Sequence, residues 1–444
     1  MMHMCKICIL GHIFNDVTLK TATTPLKMRL GGIVHAARCM YALDAEYSVA
    51  YFAPSYLDSH IANYLKEMGC NEVIKLGNVT NSPNTVLIQE VKEVGDQGYD
   101  FLLNEDVKID YDQSNLAVLE KFDKILLFAG NYDMPLVMSY NTHAHYYLDI
   151  TNDVAHFSKL VGLHFRTLFL STSSPLFKNE YSNIESLIKD CGSVCEQFVL
   201  KENRGGSRSY DFKTNVLIQT PSITSPIVHS VGIGDVFDTF VTAFDQVSPF
   251  EENLLNASYV AAEYAQTTFP DEFKTMAKHF LQLPIEDKRN NGVCLPWDVR
   301  KDLNIYIAAP DFDFVDTKPV DYICNALTYH NFTPRRPILE NGKMPAGANK
   351  AMKQKIFLSD MVLIDSCQIV LAVLLYNDPG TLLEIGIAAE RGMPVLVYDP
   401  YSIAENCMLT ELPNVVSADA DHIISELFKY ASKICKQNLQ KVLS

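Results

Sequence analysis

Short apolar runs along this chain alternate with stretches in which apolar positions recur every three or four residues, the pattern of parallel strands joined by helices. Ile7 to Leu10, Tyr47 to Phe52, Lys124 to Phe128, Tyr146 to Ile150, Arg166 to Leu170 and Gln197 to Leu200 read as core strands. Gly32 to Leu43 and Ser59 to Met68 read as helices between them. Asn84 to Glu93 and Tyr99 to Leu103, parted by Gly95-Asp96-Gln97-Gly98, predict a hairpin-like insertion that shields a pocket or extends a sheet edge. A second alternating unit starts near Lys301, with strands over Ile305-Tyr306-Ile307-Ala308-Ala309-Pro310 and Ile369 to Tyr376. The run from Ile369 is apolar throughout, as a buried parallel strand requires, and Leu383, Ile387 and Ala388 follow it at helical spacing.

At 444 residues the chain exceeds one ordinary core, so two domains are expected. The polar stretch Leu283 to Gly292, with Pro284 and Gly292, has linker composition. The reading is therefore a domain over 1–290, a linker over 291–302 and a domain over 303–444. Hydrophobic content of 48% against 20% charged residues describes folded globular protein rather than disorder. A net charge of −16 without a basic stripe argues against nucleic acid as a partner. No apolar run approaches the ~20 residues of a membrane span. The eleven cysteines show no zinc-type pairing, Cys5 and Cys8 facing opposite sides of a strand-like stretch, and read as buried thiols of a reducing, cytoplasmic setting.

Candidate chemistry sits where the Ile369 run ends. Asn377-Asp378-Pro379-Gly380-Thr381-Leu382-Leu383-Glu384-Ile385-Gly386 sets two carboxylates across a strand-to-helix turn, with Pro379 and Gly380 in the turn and Thr381 as N-cap. Glu384 then falls in the first helical turn, where free amides favour an ionised carboxylate and hence a nucleophile. Thr381 and Glu384 as a mere capping box is the bland alternative. Tyr306 reads equally as a core aromatic, and Asp360 as a helix-surface acid. With Ile305-Tyr306-Ile307-Ala308-Ala309-Pro310 and Arg391-Gly392-Met393-Pro394-Val395, the segment resembles the nucleoside 2-deoxyribosyltransferase family over residues 303 to 430. The resemblance implies a flavodoxin/Rossmann-like doubly wound parallel sheet. It implies that Glu384 attacks the anomeric carbon, Asp378 assists departure of the base, Tyr306 holds the glutamate and Asp360 lies near the reacting groups, with no cofactor. It further implies a homo-oligomer in which Asn406 completes a neighbour's site, although an Asn in a polar loop is more often a turn residue.

The first three hundred residues carry a second motif, His229-Ser230-Val231-Gly232-Ile233-Gly234-Asp235. Two glycines let backbone approach an anion, the helix opening near Asp235 supplies amides, and Asp235 stands there as a base. A plain helix-entry turn is the bland reading. Gly11 followed by Asp16, Gly31-Gly32 before His35, and Lys201-Glu202-Asn203-Arg204-Gly205-Gly206 stand in the order seen in the PfkB/ribokinase family, so residues 1 to about 285 resemble that family. The resemblance implies an α/β/α sandwich in which Asp16, Gly31 and Gly32 bind a sugar or nucleoside, Gly232, Ile233 and Gly234 form an anion hole, and Asp235 deprotonates the acceptor. ATP and Mg are implied only for an active kinase. The family's Asn-x-x-Glu is replaced by Ser171-Thr172-Ser173-Ser174, and its Asp-Thr-Thr by His229-Ser230-Val231, which leans the reading toward a binding module. His35 and His229 read as pocket ligands or, more simply, as hydrogen-bonded structural histidines.

Three functions follow from these readings: an enzyme that cleaves or exchanges N-glycosidic bonds of small-molecule nucleosides or nucleotides, a nucleoside or sugar kinase with an auxiliary C-terminal domain, or a catalytically silent nucleotide sensor.

Overall fold

The computed structural model describes residues 6–21, 24–150, 154–289, 292–345 and 347–443, so Cys5 lies outside the described residues. The chain forms two compact units, Met1–Lys92 with Gln97–Cys294, and Glu93–Asp96 with Leu295–Ser444. Both are α/β.

The first unit is built on a ten-stranded sheet in the order Val216–Thr220, Ser207–Asp211, Cys195–Lys201, Phe165–Ser171, His145–Ile150, Lys124–Phe128, Ile7–His12, Ser48–Ala53, Val73–Thr80 and Lys108–Tyr111. The inner strands are parallel, and antiparallel neighbours close both edges. All six strands expected from the apolar runs are present in this sheet. A separate four-stranded sheet, Lys27–Leu30, Asn15–Thr18, Thr85–Ile88 and Tyr99–Phe101, carries the expected hairpin as its last two strands. Its first two strands were not legible, because Asn15–Thr18 and Lys27–Leu30 are short and mixed in polarity.

The second unit is a five-stranded parallel sheet in the order Thr333–Arg335, Asn304–Ala308, Ile369–Val373, Val395–Tyr398 and Val415–Ser417. In chain order this is 2-1-3-4-5, so the winding reverses between Asn304–Ala308 and Ile369–Val373, and ligands in such sheets bind beyond the strand ends at that reversal.

The two units divide after Cys294, and the polar stretch before that point is folded: Ile285–Arg289 is helical, Lys288 is buried, and its carbonyl accepts from the Tyr259 hydroxyl. Trp297–Arg300 is also helical, and the buried Arg300 guanidinium donates to the Leu295 carbonyl. Of the apolar positions at helical spacing, the helix Pro379–Glu390 buries Ala388, together with Thr381 and Ile385, and leaves Leu383 67% exposed. Among the described residues no helix is long and apolar enough to cross a membrane.

Candidate active site

In the second unit Tyr306 lies mid-strand on Asn304–Ala308, opposite Val370, with its ring in the core formed by Ile364, Val370, Ala372 and Ile385. Burial of the ring and a reaching hydroxyl are both true of it: the Tyr306 hydroxyl donates to Glu384 Oε1 at 2.6 Å. Glu384 stands on the helix that follows Ile369–Val373, so the pair spans the winding reversal.

The cap of that helix differs from expectation. Asp378, not Thr381, is the N-cap, its Oδ2 accepting from the Thr381 amide at 2.8 Å and from the Thr381 hydroxyl at 3.0 Å. Glu384 therefore lies in the second turn, beyond the free amides that were to hold it ionised. Its environment acts the other way. Burial pushes its carboxyl up to about 7, the Tyr306 hydroxyl opposes the shift, and the nearby charges of Asp360 and Asp378 add to it. Tyr306 is raised in turn by burial and by the glutamate charge. Asp360, on the helix Lys350–Asp365, accepts from the Asn341 amide at 2.8 Å, a partner that sequence reasoning missed because Asn341 sits in a loop without pattern. Glu384, Asp378, Tyr306 and Asp360 are thus brought together. Asn406 is exposed and caps the helix Cys407–Glu411 through the Met408 amide at 2.9 Å; among the described residues no hydrogen bond ties it to the Glu384 group.

In the first unit Gly232 takes φ +83 as the N-cap of the helix Ile233–Phe244, which opens two residues before Asp235. A Cβ there would sit 2.2 Å from the His35 ring, so the turn is packed against that histidine. His35 bonds Asp16 Oδ2 at 3.2 Å and the Tyr264 hydroxyl at 2.6 Å, while Gly31 lies against the Asp16 carboxylate. Asp16 is buried at 3% exposure, with one oxygen engaged by His35. Gly32, at φ +61, lets the backbone pass the His12 carbonyl. His229 pairs with the Thr267 carbonyl at 2.8 Å, a structural role.

Asp235 makes no side-chain hydrogen bond among the described residues, and its carboxyl is pushed up to about 7 by burial and by Asp149, with Lys201 opposing. Lys201 has no sequence signal of its own beyond the glycines that follow it. Its ammonium bonds Asp149 at 3.2 Å and Asp238, and lies 3.2 Å from where a Cβ of Gly234 would be. A carboxylate inside the apolar strand Tyr146-Tyr147-Leu148-Asp149-Ile150 was the available signal, since a buried acid needs a partner.

At the position where a kinase of this pattern would organise magnesium, Ser171 and Ser173 bond each other at 2.7 Å, Thr172 bonds Asn203 and Ser174 caps the helix Pro175–Glu180. These hydroxyls are committed to local structure, and among the described residues no carboxylate hydrogen-bonds to them, so they do not fit a magnesium ion.

Residues 305–418 match the model of the family described as nucleoside 2-deoxyribosyltransferase. No curated protein matches the chain. Among solved structures, the chain is similar to a phosphofructokinase-2 from Escherichia coli (12% identity, TM-score 0.48) across 63% of this chain and 100% of that one. It is also similar to a ribokinase from Arabidopsis thaliana complexed with ribose and ATP (15% identity, TM-score 0.47), across 63% and 99%. A ribokinase from Giardia lamblia gives 15% identity and a TM-score of 0.48, across 62% and 99%.

Proposed function

We propose that the protein breaks the N-glycosidic bond of a nucleoside or nucleotide at the second unit, through a glycosyl ester on Glu384. The observation that carries this is the 2.6 Å bond from Tyr306 to Glu384 at the winding reversal, with Asp360 and Asp378 beside it. As the C1′–N bond breaks, its electron pair goes to the base nitrogen, which takes a proton from the acid form of Asp378 or Asp360, and a Glu384 oxygen bonds to C1′. Water, or a second base, then displaces the glutamate, returning its proton to that aspartate and regenerating the Glu384 carboxylate. Tyr306 fixes one glutamate oxygen so that the other faces the sugar.

A second reading, phosphoryl transfer by the first unit, is favoured by Asp235 alone, a carboxyl near 7 at a helix start. One assay separates the two. The full chain is incubated with a panel of nucleosides and 5′-monophosphates plus ATP, and free base and ADP are resolved by chromatography. Base without ADP supports the glycosidic reading; ADP without base overturns it.

Because the nucleophile must be ionised, kcat/KM should fall below about pH 7 as Glu384 takes its proton. Tyr306→Phe removes the one contact that lowers this value, so the fall should begin at higher pH, with kcat reduced about ten- to a hundredfold. An unshifted profile in Tyr306→Phe would detach the tyrosine from the glutamate's titration.

We further propose that the chain self-associates through this unit. The sixteen-residue helix Lys350–Asp365 buries only Leu363 and Ile364, while Phe357, Leu358 and Val362 are exposed beside Asp360. A second copy covering this stripe would bring a neighbour close to the Glu384 site. Leu358→Asp with Val362→Asp should then yield monomers by sedimentation and lose base release; an unaltered sedimentation coefficient removes the interface.

A further inference from the structure

Between two strands of the small sheet, Thr85–Ile88 and Tyr99–Phe101, the chain leaves the first unit: Glu93–Asp96 belongs to the second. This excursion is anchored at its root and at its tip. At the root, within the first unit, the Ser230 amide donates to the Val91 carbonyl at 2.7 Å, and the Gln97 side-chain amide donates to the Ser230 hydroxyl at 3.0 Å. At the tip, within the second, the Tyr329 hydroxyl donates to Glu93 Oε1 at 2.7 Å, and Nε2 of the fully buried His330 donates to the Val94 carbonyl at 3.0 Å. A Cβ on Gly95 would lie 3.3 Å from Ala326 Cα, so the backbone there runs close against the helix Lys318–Tyr329. Only Lys92 separates the Val91 anchor from the Glu93 anchor, and Asp96 adjoins Gln97. An extended residue spans only about 3.5 Å, so the excursion has little slack.

Each anchor leads to a candidate site. Ser230 stands two residues before Gly232, whose turn packs against His35, and Val231 between them shares an apolar cluster with Val86 and Ile88. Val86 stands beside Asp16 in the parallel register, and Asp16 bonds His35 at 3.2 Å. A ligand held by Asp16 therefore bears on Thr85–Ile88, and one held at the Gly232 turn bears on Ser230; either way the root feels it. At the tip, the helix Lys318–Tyr329 runs on into Thr333–Arg335, where Arg335 stands beside Tyr306 in the parallel register. Tyr306 holds Glu384 at 2.6 Å.

We propose that Glu93–Asp96 is a strap through which a sugar or nucleoside bound to the first unit raises base release at Glu384, so that the first unit is an effector site for the second. This rests on the two readings that the first unit takes such a ligand and that the second breaks the glycosidic bond. An effector acts through its different affinities for two states of one element. Here the two states are a strap seated on Tyr329 and His330 and a strap drawn off them. Ligand fixes Thr85–Ile88 and the Ser230 turn in the position that seats the strap, which steadies the end of the helix Lys318–Tyr329 and the strand beside Tyr306. Glu384 is then held in line with Tyr306 for a larger fraction of the time, one oxygen fixed and the other facing the sugar.

The test uses the full chain. In hydrogen exchange on Glu384→Gln, ribose or adenosine should slow exchange over residues 84–97 and, beyond them, over 320–332. With the parent protein, saturating ribose, which has no base to lose, should raise kcat/KM for base release roughly fivefold or more, the low end of ordinary coupling between sites. Inserting Gly-Gly-Ser after Lys92 and after Asp96 adds slack and keeps every anchor. Ligand affinity and basal base release should then be retained, while the rate rise and the protection over 320–332 disappear. Tyr329→Phe, which removes one tip bond without lengthening the chain, should cut both effects severalfold. Asp16→Asn should abolish ligand binding, measured by calorimetry, and both effects with it. Protection over 320–332 or a rate rise that survives the insertion, or that persists in Asp16→Asn, would overturn the strap. So would ribose and adenosine that bind without altering either readout, or the failure of both to bind. If base release is absent with and without ribose, the glycosidic reading falls, and exchange alone decides whether ligand at the first unit reaches the second.

Discussion

Glu384→Gln is expected to abolish release of free base, by at least about a thousandfold, while making the protein more stable at pH 8. The loss follows from removing the atom that bonds to C1′, because glutamine offers no second carboxylate oxygen with the charge to capture it. The gain follows from the glutamate's environment. Its carboxyl titrates near 4.5 in an unfolded chain and near 7 in the fold. A raised value means that the folded state prefers the protonated acid, so the contribution to stability is full below 4.5 and is lost as pH rises through 7. By pH 8 the ionised group costs up to about 3 kcal/mol, which the neutral amide avoids while still accepting from Tyr306. Thermal melts of parent and variant should therefore nearly coincide at pH 4.5 and separate by several degrees at pH 8. Retained base release would remove Glu384 from the chemistry. Melts that stay superimposed across the pH range would show that its side chain is well hydrated.

The apolar runs carry the central strands of the two parallel sheets, because a strand buried on two faces must be apolar throughout. Lys124 to Phe128 was placed to the residue on that basis. Strands that face solvent on one side, such as Asn15–Thr18 and Lys27–Leu30, leave no such run and were missed. The carboxylate pair of the second unit was legible from spacing, but its electrostatics were not. Which of Asp378 and Thr381 caps the helix shifts Glu384 by a full turn, and a capping motif alone does not say which. Leu383 shows a related limit. Helical spacing identifies an apolar stripe without saying whether this chain or another one covers it, and here the core takes Ile385 and Ala388 instead. The ion cluster of the first unit depends on contacts between residues far apart in sequence, Asp149, Lys201 and Asp238, which no local pattern encodes.

That cluster supplies the second large effect. Lys201→Met should destabilise the first unit by about 3–5 kcal/mol at pH 7.5, the scale seen when one partner of a buried ion pair is removed. Asp149 and Asp238 are 1% and 0% exposed, and each already has one carboxylate oxygen with no hydrogen-bond partner. Lys201 is their common counter-ion. Burial acts to strip its proton, yet the two carboxylates win and hold it charged. Burial already holds the Asp238 carboxyl well above the ordinary carboxylate range with Lys201 opposing, and losing the ammonium removes that opposition. A raised carboxyl contributes fully below its unfolded value of about 4 and loses that contribution as pH rises, so the deficit should be small near pH 4.5 and widen toward pH 8. Adding Asp238→Asn should return part of the stability at pH 7.5 by removing one of the orphaned charges, whereas independent sites would simply sum. Urea denaturation across this pH range measures both effects. A deficit below about 1 kcal/mol, or one that does not change with pH, would mean that water reaches the two carboxylates and that Lys201 is free to serve a ligand at Gly234 instead.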